Sequence, residues 1–128
     1  MKFSDYIKSR RINESFSSAK FIDKYDNAFE HAKDNCIDFL KDIDYMDYDN
    51  ASKDEIDFDE LKNLFIDSFK KHSNSKIMSY IEVIADAIFD IDFDEFSTIG
   101  EVISYIEQLS LWDFEDDIYY QYDIGKMH

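Results

Sequence analysis

The sequence predicts an all-α protein of about five helices, built as one domain. Three observations carry this prediction. Proline is absent and glycine occurs only at positions 100 and 125, so the chain lacks the turn residues of a β-sandwich. Apolar residues recur at three- and four-residue intervals through most of the chain. Ser52, Thr98 and Ser110 each stand three residues before an acid (Glu55, Glu101, Asp113), the spacing of a capping box. The 128 residues suit a single core, and 45% hydrophobic content with 17% aromatics can supply it.

Residues 3–9 allow one or two helical turns, with Phe3, Tyr6 and Ile7 on one side. Residues 12–20 are polar and Ser-rich, and 15–20 read as a linker. A long helix is expected over about 20–43. Its apolar stripe is Phe21, Ile22, Tyr25, Phe29, Ala32, Cys36, Phe39, Leu40 and Ile43. Cys36 falls on that stripe and reads as a small buried hydrophobe. As the lone cysteine it can form no internal disulfide, which suits a reducing compartment.

Residues 44–54 break the period and read as a loop. A second helix covers about 57–71, with Phe58, Leu61, Leu64, Phe65 and Phe69 inward. Residues 72–75 form a turn. A third helix, about 76–89, carries Ile77, Met78, Ile81, Ile84, Ala85, Ile88 and Phe89 over a broad arc, so it should pack on two sides. Residues 90–97 read as an acidic loop. Thr98 opens a helix to about Leu109, and Ser110 caps a last helix to about Tyr122. Residues 21–124 then form one acidic helical domain and 125–128 a tail.

Charge divides the chain more sharply than hydropathy does. The first 20 residues hold Lys2, Lys8, Arg10, Arg11 and Lys20 against only Asp5 and Glu14. Residues 21–128 hold the other 28 acids against nine lysines and no arginine, for an overall net charge of −16. Such a body repels nucleic acid and anionic membranes and attracts basic surfaces. No apolar run reaches the 18–20 residues of a membrane helix. The expected partner is therefore a basic protein surface, with no nucleic acid and no membrane.

The acids are also patterned. Asp26, Glu30, Asp34, Asp38 and Asp42 recur every fourth residue on the first long helix, a step of about 6 Å along its axis. Like charges at this spacing cost about 0.2–0.5 kcal/mol per pair. Lys24, Lys33 and Lys41 stand off the row. Further clusters are Asp42/Asp44/Asp47/Asp49, Asp54/Glu55/Asp57/Asp59/Glu60, Asp90/Asp92/Asp94/Glu95 and Asp113/Glu115/Asp116/Asp117. One reading is an ordinary hydrated surface. The other is an imitation of duplex phosphates, which carry one charge per ~1.7 Å of axis. From residue 15 onward 28 acids meet ten lysines, a net −18. Two such bodies would carry about the charge of 18 base pairs.

Catalytic chemistry has little support. No Gly-rich phosphate loop, nucleophile elbow or His-Glu-x-x-His occurs, so no catalytic residue and no cofactor is expected. His31, His72 and His128 form no metal-ligand spacing with Cys36, and His31 reads as a surface or boundary group. Asp90, Asp92, Asp94 and Glu101 sit at ligand positions of an EF-hand-like Ca²⁺ loop, although Glu95 takes the place of its turn glycine. Tyr45, Tyr48, Phe93, Phe114, Tyr119, Tyr120 and Tyr122 alternate with acids. Most read as core or boundary, and a few as contacts for a protein partner.

Two stretches carry a resemblance: Tyr25-Asp26-Asn27-Ala28-Phe29-Glu30-His31-Ala32, and Ile106-Glu107-Gln108-Leu109-Ser110-Leu111-Trp112-Asp113 running into the acidic–aromatic segment to Tyr122. Between them, Ile88-Phe89-Asp90-Ile91-Asp92-Phe93-Asp94-Glu95-Phe96 is similar in style. These resemble the Ocr-like (overcome classical restriction) phage antirestriction proteins over about residues 22–123. The resemblance implies an elongated all-helical homodimer that mimics bent B-form DNA and fills the DNA groove of Type I restriction-modification enzymes. It implies that Asp26, Glu30, Asp34, Asp38, Asp42, Asp44, Asp47, Asp49, Asp57, Asp59, Glu60, Asp90, Asp92, Asp94, Glu95, Asp113, Glu115, Asp116 and Asp117 stand in for phosphates. It places Ile77, Ile81, Ile84, Ala85 and Ile88 at the dimer interface. The chain departs from the family in lacking a long glutamate-rich tail and in adding the basic leader.

The leader, Met1-Lys-Phe-Ser-Asp-Tyr-Ile7 with Ile12-Asn13-Glu14, resembles the capsid-targeting peptides of T-even phage internal proteins. That resemblance implies cleavage between Glu14 and Ser15, residence in the phage head and injection into the host cytoplasm. The competing expectations are a structural internal head protein, or an inhibitor of another DNA-binding system such as a CRISPR nuclease, a BREX component or a nucleoid protein. Self-repulsion at this net charge destabilises the folded state, and salt screens it. Raising NaCl from low to moderate concentration is therefore expected to raise the melting temperature; a flat or falling trend contradicts this.

Overall fold

Ser17 starts the fold. Its hydroxyl oxygen accepts from the Lys20 backbone N–H at 3.4 Å, and helix α1 follows over Ser18–Ile43. The structure is a computed structural model and describes residues 17–126. The leader, the Glu14–Ser15 processing pair and residues 127–128 of the tail lie outside the described residues. The fold is all-α, with α2 at Phe58–Lys71, α3 at Met78–Phe89, α4 at Ile99–Glu107 and α5 at Glu115–Lys126. Short 3-10 turns lie at Lys53–Glu55, Ser75–Ile77, Phe93–Glu95 and Leu111–Phe114. Among the described residues there is no strand, only an isolated antiparallel bridge between Ser52 and Thr98.

The stripe predicted on α1 is buried, apart from Phe39 and Ile43, which pack half-buried at its edge. Asp57 caps α2 by accepting from Glu60 N–H at 3.1 Å. α2 returns antiparallel to α1. Asn35 Nδ2 donates to Ser68 Oγ at 2.6 Å, and the His31 and His72 rings stack with centroids 4.4 Å apart. Between the two helices Phe29 meets Phe65 and Phe69 edge-on at 5.8 and 6.1 Å.

The third helix begins with a 3-10 turn over Ser75–Ile77, whose N-cap Asn74 accepts from Lys76 N–H. As its broad apolar arc predicts, α3 packs on two neighbours, α2 and α5. That packing corrects one expectation. Ile77, Ile81, Ile84, Ala85 and Ile88 are all buried within the single chain, so they are not available to a second copy. A dimer would have to use other residues.

Two loops close the far end of the hairpin. Ile99 N–H donates to Ala51 O at 2.8 Å and Lys53 N–H to Ser97 O at 3.1 Å, joining the 44–57 loop to the 90–98 loop. Phe58 stacks on Phe93 at 4.2 Å, and Phe96 and Tyr105 complete the cluster. Gly100 marks the closest approach, because a Cβ there would lie 2.9 Å from Asp49 Cα.

The capping-box predictions fare differently. Thr98 with Glu101 forms a full box that opens α4. Ser110 with Asp113 forms one too, but it opens the 3-10 turn Leu111–Phe114 ahead of α5. α5 then runs past Tyr122 to Lys126. Ser52 accepts from Asp54 N–H and caps only a three-residue 3-10 turn, which already ends at Glu55.

Lys33, which stands off the acidic row, does not follow the usual exposure of lysines. Its side chain is buried, and Nζ donates to Glu107 O at 3.2 Å and Leu109 O at 2.6 Å. Those carbonyls lie at the C-terminal end of α4, where a cation completes the orphan acceptors and the helix dipole. α4 stops at Glu107, two residues short of the predicted end. Replacing Lys33 by Ala removes charged hydrogen bonds from a buried site, so a loss of about 2–3 kcal/mol is expected in urea unfolding. A loss below about 0.5 kcal/mol, the range of an ordinary surface change, contradicts this role.

Candidate anionic interface

The acids of α1 form a winding track. Each step of four residues advances about 400° around the helix, so the row drifts roughly 40° per step and ~160° in all over about 24 Å. The drift is right-handed, the sense in which a B-DNA strand winds. It crosses the solvent face diagonally: Asp26 is half-buried at one edge, and Glu30, Asp34, Asp38 and Asp42 are exposed. Lys33 also reaches Glu30 Oε2 at 3.4 Å, so one member of the row is partly neutralised from the core side.

The remaining predicted positions gather mostly at the loop end. Asp47, Asp49, Asp57, Asp59, Glu60, Asp90, Asp92, Asp94 and Glu95 are exposed there, with Asp44 half-buried. Asp113 and Asp116 are exposed, with Glu115 and Asp117 half-buried, around the start of α5. Several hold structure as well as charge. Asp57 and Asp92 accept from backbone N–H groups of the turns they cap, Asp113 accepts from Ser110 N–H, and Asp47 accepts from Asn50. These contacts fix where the carboxylates stand.

Lysines in this region are tied down. Lys53 pairs with Asp94 at 3.1 Å and Asp54 at 3.6 Å. Lys62 pairs with Asp86 at 2.6 Å and Asp90 at 3.7 Å. The hydrogen bonds to Asp94 and Asp86 lead in holding the two ammonium groups above their usual pKa, against the opposing effect of desolvation. Each lysine joins two elements, Lys53 the two loops and Lys62 α2 to α3.

The calcium reading fails on the same geometry. Asp90 and Asp94 are engaged by lysines, and Asp92 caps its own turn. Glu101 Oε1 accepts from Ser97 and Thr98 N–H groups at 2.6 and 3.3 Å. A helix beginning at Ile99 carries Glu101 on its first turn instead of closing a loop. Among the described residues no group of three or more His, Cys, Asp or Glu side chains could hold a metal ion. Cys36 is buried on the α1 stripe, and burial pushes its thiol up to about 12.

The aromatics divide as the alternation suggests. Phe114 is buried, Phe93 packs in the loop cluster, and Tyr48 lies half-buried beneath Lys41. Tyr45, Tyr119 and Tyr120 are exposed, while Tyr122 is half-buried. Met46 and Trp112, 80% and 49% exposed, extend the exposed apolar set in a way that acid–aromatic alternation alone does not indicate. Asp49, Glu95, Phe96, Glu101 and Tyr105 also line an open cleft of about 580 Å³ beside Gly100. Carboxylates and aromatic rings lining one cleft suit a cationic side chain.

No helix among the described residues is long and apolar enough to cross a membrane. Comparison with protein-family models, curated proteins and solved structures finds no match to this chain. With its four acids engaged as above, calorimetric titration with Ca²⁺ is expected to give no saturable heat. A 1:1 isotherm lost in Asp92→Asn would contradict that assignment.

Proposed function

We propose that this protein is a DNA mimic. It occupies the basic DNA-binding groove of a host defence enzyme, with Type I restriction-modification the foremost target, and acts by exclusion instead of catalysis. The observation that carries this reading is the diagonal carboxylate track on α1, held by a buried core on the opposite side of the same helix. Charge density supports it. The described residues bear 28 acids and ten lysines. Projected on the ~39 Å of α1, their net charge amounts to one negative charge per ~2.2 Å, near the ~1.7 Å of duplex DNA. The row alone supplies one per ~6 Å, so the loop-end acids are a necessary part of the surface.

The Ocr-like segments lend the same reading a precedent. Packaging in a phage head, injection into host cytoplasm and pairing of two copies belong to the proposal and rest on resemblance alone. A groove built to neutralise phosphates should hold such a surface through many charge pairs, and duplex DNA should compete for it.

The test is capture from host lysate by the tagged full chain. Retention of a DNA-binding enzyme that excess duplex DNA displaces is expected. The double variant Asp34→Lys/Asp38→Lys should bind that enzyme at least tenfold more weakly. Capture of nothing, as expected of a structural head protein, or of a partner that duplex DNA leaves in place, contradicts the proposal.

A further inference from the structure

The cleft beside Gly100 is built from three elements. Glu101, Ser104, Tyr105 and Gln108 recur at the three- and four-residue spacing of one helical face, along α4 and its C-cap. The 90–98 loop adds Glu95 and Phe96, and the 44–57 loop adds Asp49. The backbone bonds from Ile99 to Ala51 and from Lys53 to Ser97 tie the two loops together, so the walls keep their places. At about 580 Å³ the cleft falls within the ~300–1,000 Å³ of ligand-sized clefts.

Its aromatic side is fixed from behind. Tyr105 Oη donates to Ile88 O at 2.8 Å, and the Tyr105 ring meets Phe93 edge-on at 6.1 Å and Phe96 at 5.7 Å. Both Phe96 and Tyr105 are half-buried, so each keeps part of its ring accessible. The polar side holds acceptors without a cation. No lysine or arginine borders the cleft. Asp49 and Glu95 are exposed, and among the described residues neither forms an ion pair. Glu101 Oε1 accepts from the Ser97 and Thr98 N–H groups, which fixes that carboxylate at the rim.

We propose that this cleft receives an arginine side chain of a basic partner protein. The guanidinium lies against the Phe96 and Tyr105 rings and donates to the Asp49 and Glu95 carboxylates, with Ser104 and Gln108 as further acceptors. The kind of partner rests on the reading of the acidic surface as a counterpart of a DNA-binding groove; the preference for a guanidinium does not.

Charge complementarity selects a cation, and the rings select which one. A lysine ammonium is a compact, strongly hydrated point charge, which exposed carboxylates alone can serve. A guanidinium is planar and more weakly hydrated, stacks on aromatic faces and forks its donors onto carboxylates. The cleft offers ring faces and several acceptors together, so it distinguishes arginine from lysine where a row of bare charges does not.

N-acetyl-arginine methylamide, titrated into the full chain and followed by amide NMR, tests this without any enzyme. At equal concentration and salt it should shift the amides of Asp49 and residues 95–108 about threefold or more beyond the shifts given by N-acetyl-lysine methylamide. Asp49→Asn/Glu95→Gln should abolish that difference. Asp67→Asn/Glu82→Gln, which removes the same charge at exposed positions elsewhere, should preserve it. Ser104→Trp, an exposed position whose new ring fills the cleft and leaves Asp49 and Glu95 in place, should abolish it as well. Equal shifts from the two probes, shifts spread over the α1 row with no preference for the cleft, or an arginine preference that survives both cleft variants overturns the proposal. Because the probe needs no enzyme, failure of the lysate capture bears only on the proposed target.

Discussion

Burial of the α1 stripe is the constraint on which the rest depends. A helix turns as a rigid body, so placing Ile22, Phe29, Cys36 and Leu40 wholly inside leaves Glu30, Asp34 and Asp38 pointing out. Rotating it by one residue's worth would bury a carboxylate without a partner, at a cost of several kcal/mol. The opposing effect is smaller. Four neighbouring repulsions along the row cost about 1–2 kcal/mol together. Burying Ile22, Phe29 and Leu40 contributes roughly 5–9 kcal/mol. The core therefore wins, and it holds the acids at fixed spacing and phase against their own repulsion.

The distribution of lysines follows a related logic. In an ordinary acidic protein, lysines interleave with the acids they shield. Here Lys33, Lys53 and Lys62 are drawn into joints between elements, to α4 carbonyls, between the two loops and between α2 and α3. Each does structural service at a boundary and leaves most of the α1 track unshielded. The partial neutralisation of Glu30 by Lys33 is the exception, and it arises because that ammonium is already committed to the end of α4.

Helix positions were largely legible in the sequence, since apolar period and capping residues are local signals. Thr98 with Glu101 at the start of α4 shows this directly. The Ser52 spacing is a local signal that caps only a 3-10 turn, while Asp57 caps α2; the remaining differences are non-local. Lys33 lies between Ala32 and Cys36 beside the buried arc, yet only the fold brings the end of α4 to it. The family resemblance placed α3 at a dimer face, whereas its broad apolar arc is taken up within the chain by α2 and α5. Asp90, Asp92, Asp94 and Glu101 matched a calcium loop in spacing, while the lysines and backbone groups that engage them were assigned only by the fold. The His31–His72 stack across α1 and α2 left no sequence signature at all. The four-residue interval of the α1 acids already implies a diagonal course along a helix; the backbone groups and lysines that anchor the other acids are assigned only by the fold.

Under the proposed mimicry, the placement of charge and not its amount sets how well this surface competes with duplex DNA. Two variants of equal net charge separate these directly. One carries the amides Asn or Gln at Asp26, Glu30, Asp34, Asp38 and Asp42; the other carries them at exposed Glu55, Asp67, Glu82, Glu107 and Asp123. Competition against labelled duplex DNA for the captured enzyme is the measurement. The first variant is expected to lose competition by tenfold or more while the second competes within about twofold of the natural chain. Equal losses would mean that bulk charge alone is at work.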